Sequence, residues 1–303
     1  MTETIRAIVF PGVQNLPIFA AEEQGFFEQR NIHLELIPTK NSEQQRNGIA
    51  DGTYDIAHSA IDNAIALSDV AGKDVISFVG LDKGFNQFVV QPEIKSYEDL
   101  RGKILGVDAP DTAFALIAYE LLDRNGLKRD RDYQVMPIGA TRFRLAALQE
   151  RKCDFAMLNL PFCLDAAEAG LSKLEDPQRA IGAYQGNTGL ALRSWILGHE
   201  DLLVRYIASF VQGLRWVLDP ANRSKAVELL GRRMQMQPHI AEECCRIILD
   251  PEFGFTRDAK LDLEGLTMVR KLRANFTGTV NPKPDADYID ESYYEKALAL
   301  LQA

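Results

Sequence analysis

The chain has 303 residues, is 46% hydrophobic and 25% charged, and carries a formal net charge of −9. Its length supports two domains with separate cores. No apolar run approaches the roughly 20 residues that cross a bilayer, and the acidic balance lacks the basic stripe that a nucleic-acid partner needs.

The first 60 residues alternate strand and helix. Ile5–Phe10 reads as a strand that ends at the turn signal Pro11-Gly12. Asn15 then reads as the N-cap of a helix over Leu16–Gln29, with Pro17 tolerated in its first turn. A strand at His33–Ile37, a helix at Glu43–Ile49 and a short strand over Gly52–Ala57 follow. Asp62 opens an apolar helical run to Val70, and Val75–Leu81 and Phe85–Gln91 read as buried strands. A short capped helix over Ser96–Leu100 precedes a second unit.

That second unit repeats the order of the first: strand Ile104–Asp108, helix Thr112–Asn125, strand Tyr133–Ile138, helix Arg142–Glu150, strand Lys152–Met157. Past residue 185 the character changes. A strand at Gly189–Leu192 leads into amphipathic segments at 200–218, 222–233, 238–249, 262–274 and 290–301. Strands alternating with helices imply mostly parallel sheets covered on both faces. Two such units imply an α/β fold of two similar lobes, with lobe 1 formed by residues 1–87 plus 190–303, lobe 2 by residues 88–189, and the C-terminal helices on lobe 1. Two adjacent crossings make a hinge suited to closing on a ligand.

Four ordered motifs carry a resemblance. They are Leu16-Pro17-Ile18-Phe19-Ala20-Ala21-Glu22-Glu23-Gln24-Gly25-Phe26-Phe27, Asp51-Gly52-Thr53-Tyr54-Asp55-Ile56-Ala57, Ile94–Lys103 with its Asp99-Leu100-Arg101-Gly102-Lys103 ending, and Asp154-Phe155-Ala156. In these the chain resembles the type 2 periplasmic solute-binding proteins, in the branch that includes alkanesulfonate-, taurine-, nitrate- and thiamine-pyrimidine-binding proteins. The resemblance implies a small solute held between two lobes and delivered to an ABC-type importer. Some members of this fold are cytoplasmic enzymes, among them aromatic desulfinases, dihydroxyphthalate decarboxylases and the yeast pyrimidine synthase. The desulfinase nucleophile lies after the first strand, where this chain has Pro11-Gly12-Val13-Gln14-Asn15 and no cysteine. The Cys-rich signature of the pyrimidine synthase is absent too.

Met1-Thr2-Glu3-Thr4 runs into the first strand with no basic region and no small-residue cleavage site. The chain reads either as cytoplasmic or as a periplasmic protein whose signal has been removed. The cysteines and histidines show no metal-ligand spacing. Cys244 and Cys245 are adjacent, so the thiols read as free and partly buried. No metal or cofactor is expected, and with no heptad or exposed edge motif the expected state is a monomer.

Ligands of open α/β sheets sit at the C-terminal ends of strands, beside helix N-termini. In lobe 1 that rule selects Gln14 and Asn15 after the first strand, His58, Ser59, Asp62 and Asn63 after the third, and Lys83 and Phe85 after the fourth. In lobe 2 it selects Asp108, Asp111 and Thr112, where a helix opens with bare N–H groups, then Thr141, Arg142 and Arg144 at the start of the next helix, of which Arg142 could clamp an anion, and Asn159 and Phe162 after the echo strand. Tyr184 at the return crossing is placed to act as a lid. Each has a structural alternative: Asn15 as a cap, His58 as a satisfied core residue, Lys83 and Arg142 as solvated charges, Phe162 as core filling. The mixed polar set suits a small aromatic or heterocyclic acid, a sulfonate or a pyrimidine. The competing function is a cytoplasmic decarboxylase, desulfinase or hydrolase with His58 as general acid or base and Asp62 assisting.

Overall fold

A computed structural model of the chain describes residues 2–278 and 283–302. The first part runs β1 (Glu3–Val9), α1 (Leu16–Glu23), β2 (Ile32–Pro38), α2 (Ser42–Ala50), β3 (Ile56–Ala60), α3 (Ile61–Asp69) and β4 (Val75–Gly80). The second runs β5 (Asn86–Val90), β6 (Lys103–Val107), α4 (Ala113–Arg124), β7 (Tyr133–Pro137), α5 (Thr141–Gln149), β8 (Phe155–Asn159), α6 (Phe162–Glu168), β9 (Ser172–Glu175) and α7 (Pro177–Ile181). The chain then returns through β10 (Asn187–Leu192) to α8 (Arg193–Gly198), α9 (Glu200–Leu218), α10 (Arg223–Met234), α11 (Pro238–Ile248), α12 (Leu263–Thr277) and α13 (Ser292–Leu300).

These strands form two five-stranded sheets of the same design, ordered β2-β1-β3-β10-β4 and β7-β6-β8-β5-β9. In each sheet one strand is antiparallel to its neighbours: β10 in the first and β5 in the second. Both are the first strand formed after the chain leaves the other sheet. The two crossings therefore stitch the halves together, and the fold is the mixed α/β architecture expected from the repeat.

The repeat has a physical cause at the residues before β3 and β8. Asp55 Oδ2 accepts the main-chain N–H of Arg6 on β1 at 2.7 Å, and Asp154 Oδ2 accepts that of Ile104 on β6 at 2.8 Å. Each carboxylate satisfies the main-chain donor one residue before the first paired position, Ala7 with Ile56 and Leu105 with Phe155, and so marks where pairing begins. The preceding residues are turn, so β3 starts at Ile56 and β8 at Phe155, later than the expected Gly52 and Lys152. The expected helix Leu16–Gln29 also stops early, at Glu23, because Gly25 adopts φ 70° and breaks the helix before a 3-10 turn over Glu28–Arg30. The short elements α6, β9, α7 and α8 were not legible from periodicity.

The core of the first half is organised by α9, whose Leu203, Tyr206, Ile207, Phe210 and Leu214 are fully buried. Gly213 lets α9 approach α1, since a Cβ there would stand 2.2 Å from the Pro17 carbonyl oxygen. Of the C-terminal helices, α13 packs on α9 and α10 packs on α1 and α11, while α12 lies against both α3 and α4 and so touches both halves.

Candidate functional site

The C-terminal ends of β1, β3, β6 and β8 face one another across the gap between the sheets, and the chain entering α2, α3, α4 and α5 adds helix N-termini to the same space. Between them lies a cleft with about 50 Å³ of internal space. Phe10, Pro11, Gln14, Ser42, Ala60, Asn63 and Asn187 line it from the first half. Asp108, Thr112, Ala113, Phe114, Ala140, Thr141, Arg142, Arg144, Asn159 and Phe162 line it from the second.

Contacts bridge the halves at its rim. Ser42 donates its main-chain N–H (3.0 Å) and its hydroxyl (2.5 Å) to Asp108 Oδ2. The Ala140 N–H reaches the Lys40 carbonyl at 3.1 Å, and Arg46 pairs with Asp111 at 3.0 Å. The cleft is thus drawn together by α2 on one side and by α4 and α5 on the other.

Arg144 dominates the electrostatics. It is 3% exposed, and its guanidinium donates to three neutral oxygens: Met157 O (3.2 Å), Gly139 O (2.7 Å) and Thr141 Oγ1 (2.9 Å). Among the described residues it forms no ion pair. Burial pushes its pKa down to about 10, with Asp108 pulling the other way, so it remains a cation at neutral pH. Thr112 opens α4 without a side-chain cap, because its hydroxyl donates to Ala109 O instead (2.8 Å). The first N–H groups of that helix therefore add positive potential beside the cleft.

Of the residues singled out in the sequence, Gln14, Asn63, Asp108, Thr112, Thr141, Arg142, Arg144, Asn159 and Phe162 come together here. The others lie elsewhere or behind the wall. Asn15 does not cap α1: it has helical φ/ψ, and its Nδ2 and that of Gln14's amide, Nε2, both donate to Phe10 O (2.8 and 2.9 Å). Ser59 is buried and accepts from Asn63 Nδ2 at 2.6 Å. Asp62 is tied to Arg273 on α12 at 2.7 Å, and Asp111 is held in its ion pair with Arg46. Lys83 reaches the Glu252 carbonyl, Phe85 packs edge-on against Phe255, and Tyr184 is buried behind the crossing. The sequence reading gave no ligand role to Ser42 or Phe114, and at the start of α5 it favoured Arg142 over Arg144 as the anion clamp. Ser42 opens a helix that follows a strand end and Arg144 lies in the first turn of another, so helix position was the available signal for both, and Phe114 carried none.

His58 is also off the cleft. Its ring bonds the Tyr206 hydroxyl at 2.8 Å and lies 4.9 Å from the Phe210 ring. Burial lowers its pKa to about 3. All four cysteines are buried, and burial raises each thiol pKa, so none is an activated nucleophile. Among the described residues no cluster of His, Cys, Asp or Glu could hold a metal ion.

At the crossings, Asp82 is 1% exposed and serves both segments. It accepts from the N–H of Gly84 (2.8 Å), the N–H of Asn187 (3.1 Å) and Asn187 Nδ2 (3.1 Å).

Two sheets of one design, joined by a doubled crossing and sharing a cleft at their strand ends, define a two-lobed α/β protein of the periplasmic-binding type. The chain belongs to the NMT1/THI5-like family, whose sequence profile matches residues 13–218. Comparison with curated protein sequences gives no significant match. Among solved structures it is similar to a ligand-binding component of an ABC-type import system from Staphylococcus aureus, solved with zinc bound (16% identity, TM-score 0.79, covering 98% of this chain and 99% of that one). It is similar also to the periplasmic aliphatic sulphonate-binding protein SsuA from Escherichia coli (16%, TM-score 0.73, 96% and 92%). The desulfurization enzyme DSZB shares the architecture (14%, TM-score 0.69, 98% and 99%). At these identities the likeness is one of fold.

Proposed function

We propose that the chain is the solute-binding component of an ABC-type importer, closing two lobes around a small organic acid or sulfonate. The observation that carries this reading is Arg144, a buried cation without a carboxylate partner, set in the wall of a cleft that both halves build. A buried charge is costly unless compensated, and an anionic ligand supplies the compensation. Phe10, Phe114 and Phe162 give that ligand apolar walls. In this reading residues 1–87 with 190–303 turn against residues 88–189 about Asp82, and the protein works as a monomer in the periplasm. Similar structures titled as an importer's ligand-binding component and a periplasmic sulphonate-binding protein support the class.

An enzyme using His58 as general acid or base fits the geometry poorly. His58 does not line the cleft, its ring is held by Tyr206, and its pKa of about 3 leaves it neutral at physiological pH. Asp62, its expected helper, is committed to Arg273.

The test is native mass spectrometry of the purified chain, followed by a thermal-shift screen of carboxylates and sulfonates. A ligand at 100 times its dissociation constant adds about 2.7 kcal/mol of stability. A bound acid recovered unaltered after long incubation supports the proposal. Conversion of the bound compound, or no stabilisation by any small anion, rejects it.

A further inference from the structure

Asp108 and Arg144 are opposite charges lining one cleft, yet the structure keeps them unpaired. Asp108 Oδ2 is turned across the gap to the two Ser42 donors, and Arg144 spends its N–H groups on neutral oxygens. Asp108 Oδ1 is buried and has no hydrogen-bond partner among the described residues. A carboxylate oxygen can only accept, so this atom calls for a donor. Two further acceptors on the cleft wall share its condition. Asn63, 4% exposed, uses Nδ2 on Ser59 and leaves Oδ1 unmatched, and Asn159 Oδ1 is buried without a partner. The cleft thus offers a cation and helix N-termini to one part of a ligand, and a carboxylate with amide oxygens to another.

We propose that Asp108 sets the specificity of this cleft and that the preferred ligand is a small organic acid that also carries an amino group. The inference rests on the solute-binding reading and narrows its ligand class. The acid group meets Arg144, and the ammonium meets Asp108 Oδ1, so the buried guanidinium and the half-buried carboxylate are neutralised at once. A donor-free anion compensates Arg144 only; it leaves Oδ1 unmatched and sets its own charge near a carboxylate. Ser42 acts as the positioning residue, because its two donors hold Oδ2 and keep Asp108 from turning to Arg144.

Isothermal titration of the full chain with paired probes tests this: propanoate against 3-aminopropanoate, ethanesulfonate against 2-aminoethanesulfonate, and benzoate against 2-aminobenzoate. The expected result is tenfold or tighter binding of the amino member in at least one pair. Asp108→Asn reduces that preference to under threefold with an unchanged unfolding transition. Ser42→Ala weakens both members of the pair and narrows the ratio less than Asp108→Asn does. Donor-free acids that bind as tightly as their amino partners, or a preference that survives Asp108→Asn, overturn the assignment while leaving the solute-binding reading standing. If none of the six probes binds, the molecule that co-purifies decides. An amino acid or aminosulfonate supports the assignment, a donor-free acid overturns it, and a chain that holds no small acid and is stabilised by none in the thermal-shift screen removes the solute-binding reading with it.

Discussion

Arg273 on α12 and Asp62 at the start of α3 meet at 2.7 Å with exposures of 1% and 0%. The same Nη1 donates at 3.1 Å to the carbonyl of Asp111, just before α4. One guanidinium therefore ties the C-terminal region to both halves, behind the wall formed by Asn63 and Thr112. The pair is incompletely served: Asp62 Oδ2 and Arg273 Nε and Nη2 have no partner among the described residues. Removing one member strands the other charge in the interior, so Arg273→Met is expected to cost about 3–5 kcal/mol in urea unfolding. The double change Asp62→Leu/Arg273→Met is expected to recover most of that loss. A double variant as unstable as the single one would show that the pair's geometry, rather than its charge balance, is what matters.

Arg144 is expected to behave differently. Its charge is desolvated without a carboxylate to offset it, so Arg144→Met relieves a burial cost in the free protein. Because Met157 O, Gly139 O and Thr141 Oγ1 lose their donor in the same change, we expect unfolding stability without ligand to stay within about 1–2 kcal/mol of the parent chain. Affinity for an anionic ligand is expected to fall at least 100-fold, corresponding to about 2.7 kcal/mol. Arg144→Lys keeps the charge but not the planar fork held by Met157, Gly139 and Thr141, and is expected to lose about tenfold. Thermal unfolding and titration calorimetry on the same samples separate the two effects.

The uneven legibility of this chain follows from how local each signal is. Asp55 and Asp154 stand directly before the strands they start, and each closes a contact that repeats at the same point in both units. The repeated α/β pattern was therefore readable, although the turns before them blurred where pairing begins. Strand ends also follow from local pattern, which is why Gln14, Asn63, Asp108, Thr112, Asn159 and Phe162 could be picked as neighbours of one space. Arg144 and Arg142 look alike in sequence. One is buried and the other exposed, because the helix turns Arg144 towards the carbonyls of Gly139 and Met157. Arg273 is 211 residues from Asp62, and no periodicity joins them. His58 misled for a related reason: its strand-end position was visible, but the Tyr206 that claims its ring comes from α9.

That claim gives a pH dependence of definite sign. The folded chain keeps His58 neutral down to about pH 3, whereas the unfolded imidazole takes up a proton near its ordinary 6.5. Between those values the unfolded state binds more protons. This contribution to stability is therefore complete above about pH 6.5 and is lost as pH falls towards 3, at up to about 1.4 kcal/mol per pH unit. His58→Gln keeps a group able to bond Tyr206 but cannot titrate. Between pH 7 and pH 5 the parent chain is expected to lose about 2 kcal/mol more than this variant in urea unfolding. Parallel pH profiles would mean that His58 is protonated in the folded state.

Asp82 joins the two crossings by accepting three hydrogen bonds, one from Gly84 and two from Asn187. Burial raises its pKa and those bonds oppose the shift, so its environment is tuned to acceptor geometry rather than to charge. Gly186 passes so close that a Cβ there would stand 2.3 Å from Asp82 Oδ1. Asp82→Ala leaves three buried donors without an acceptor and is expected to cost about 2–4 kcal/mol. Asp82→Asn keeps one acceptor oxygen and is expected to cost less than half as much. If the crossings form the pivot of closure, Asp82→Ala should also lower ligand affinity although no atom of Asp82 lines the cleft, with the loss appearing mainly as faster dissociation in stopped-flow measurements. Equal affinity and dissociation rate in Asp82→Ala and the parent chain would confine Asp82 to a structural role and place the pivot elsewhere.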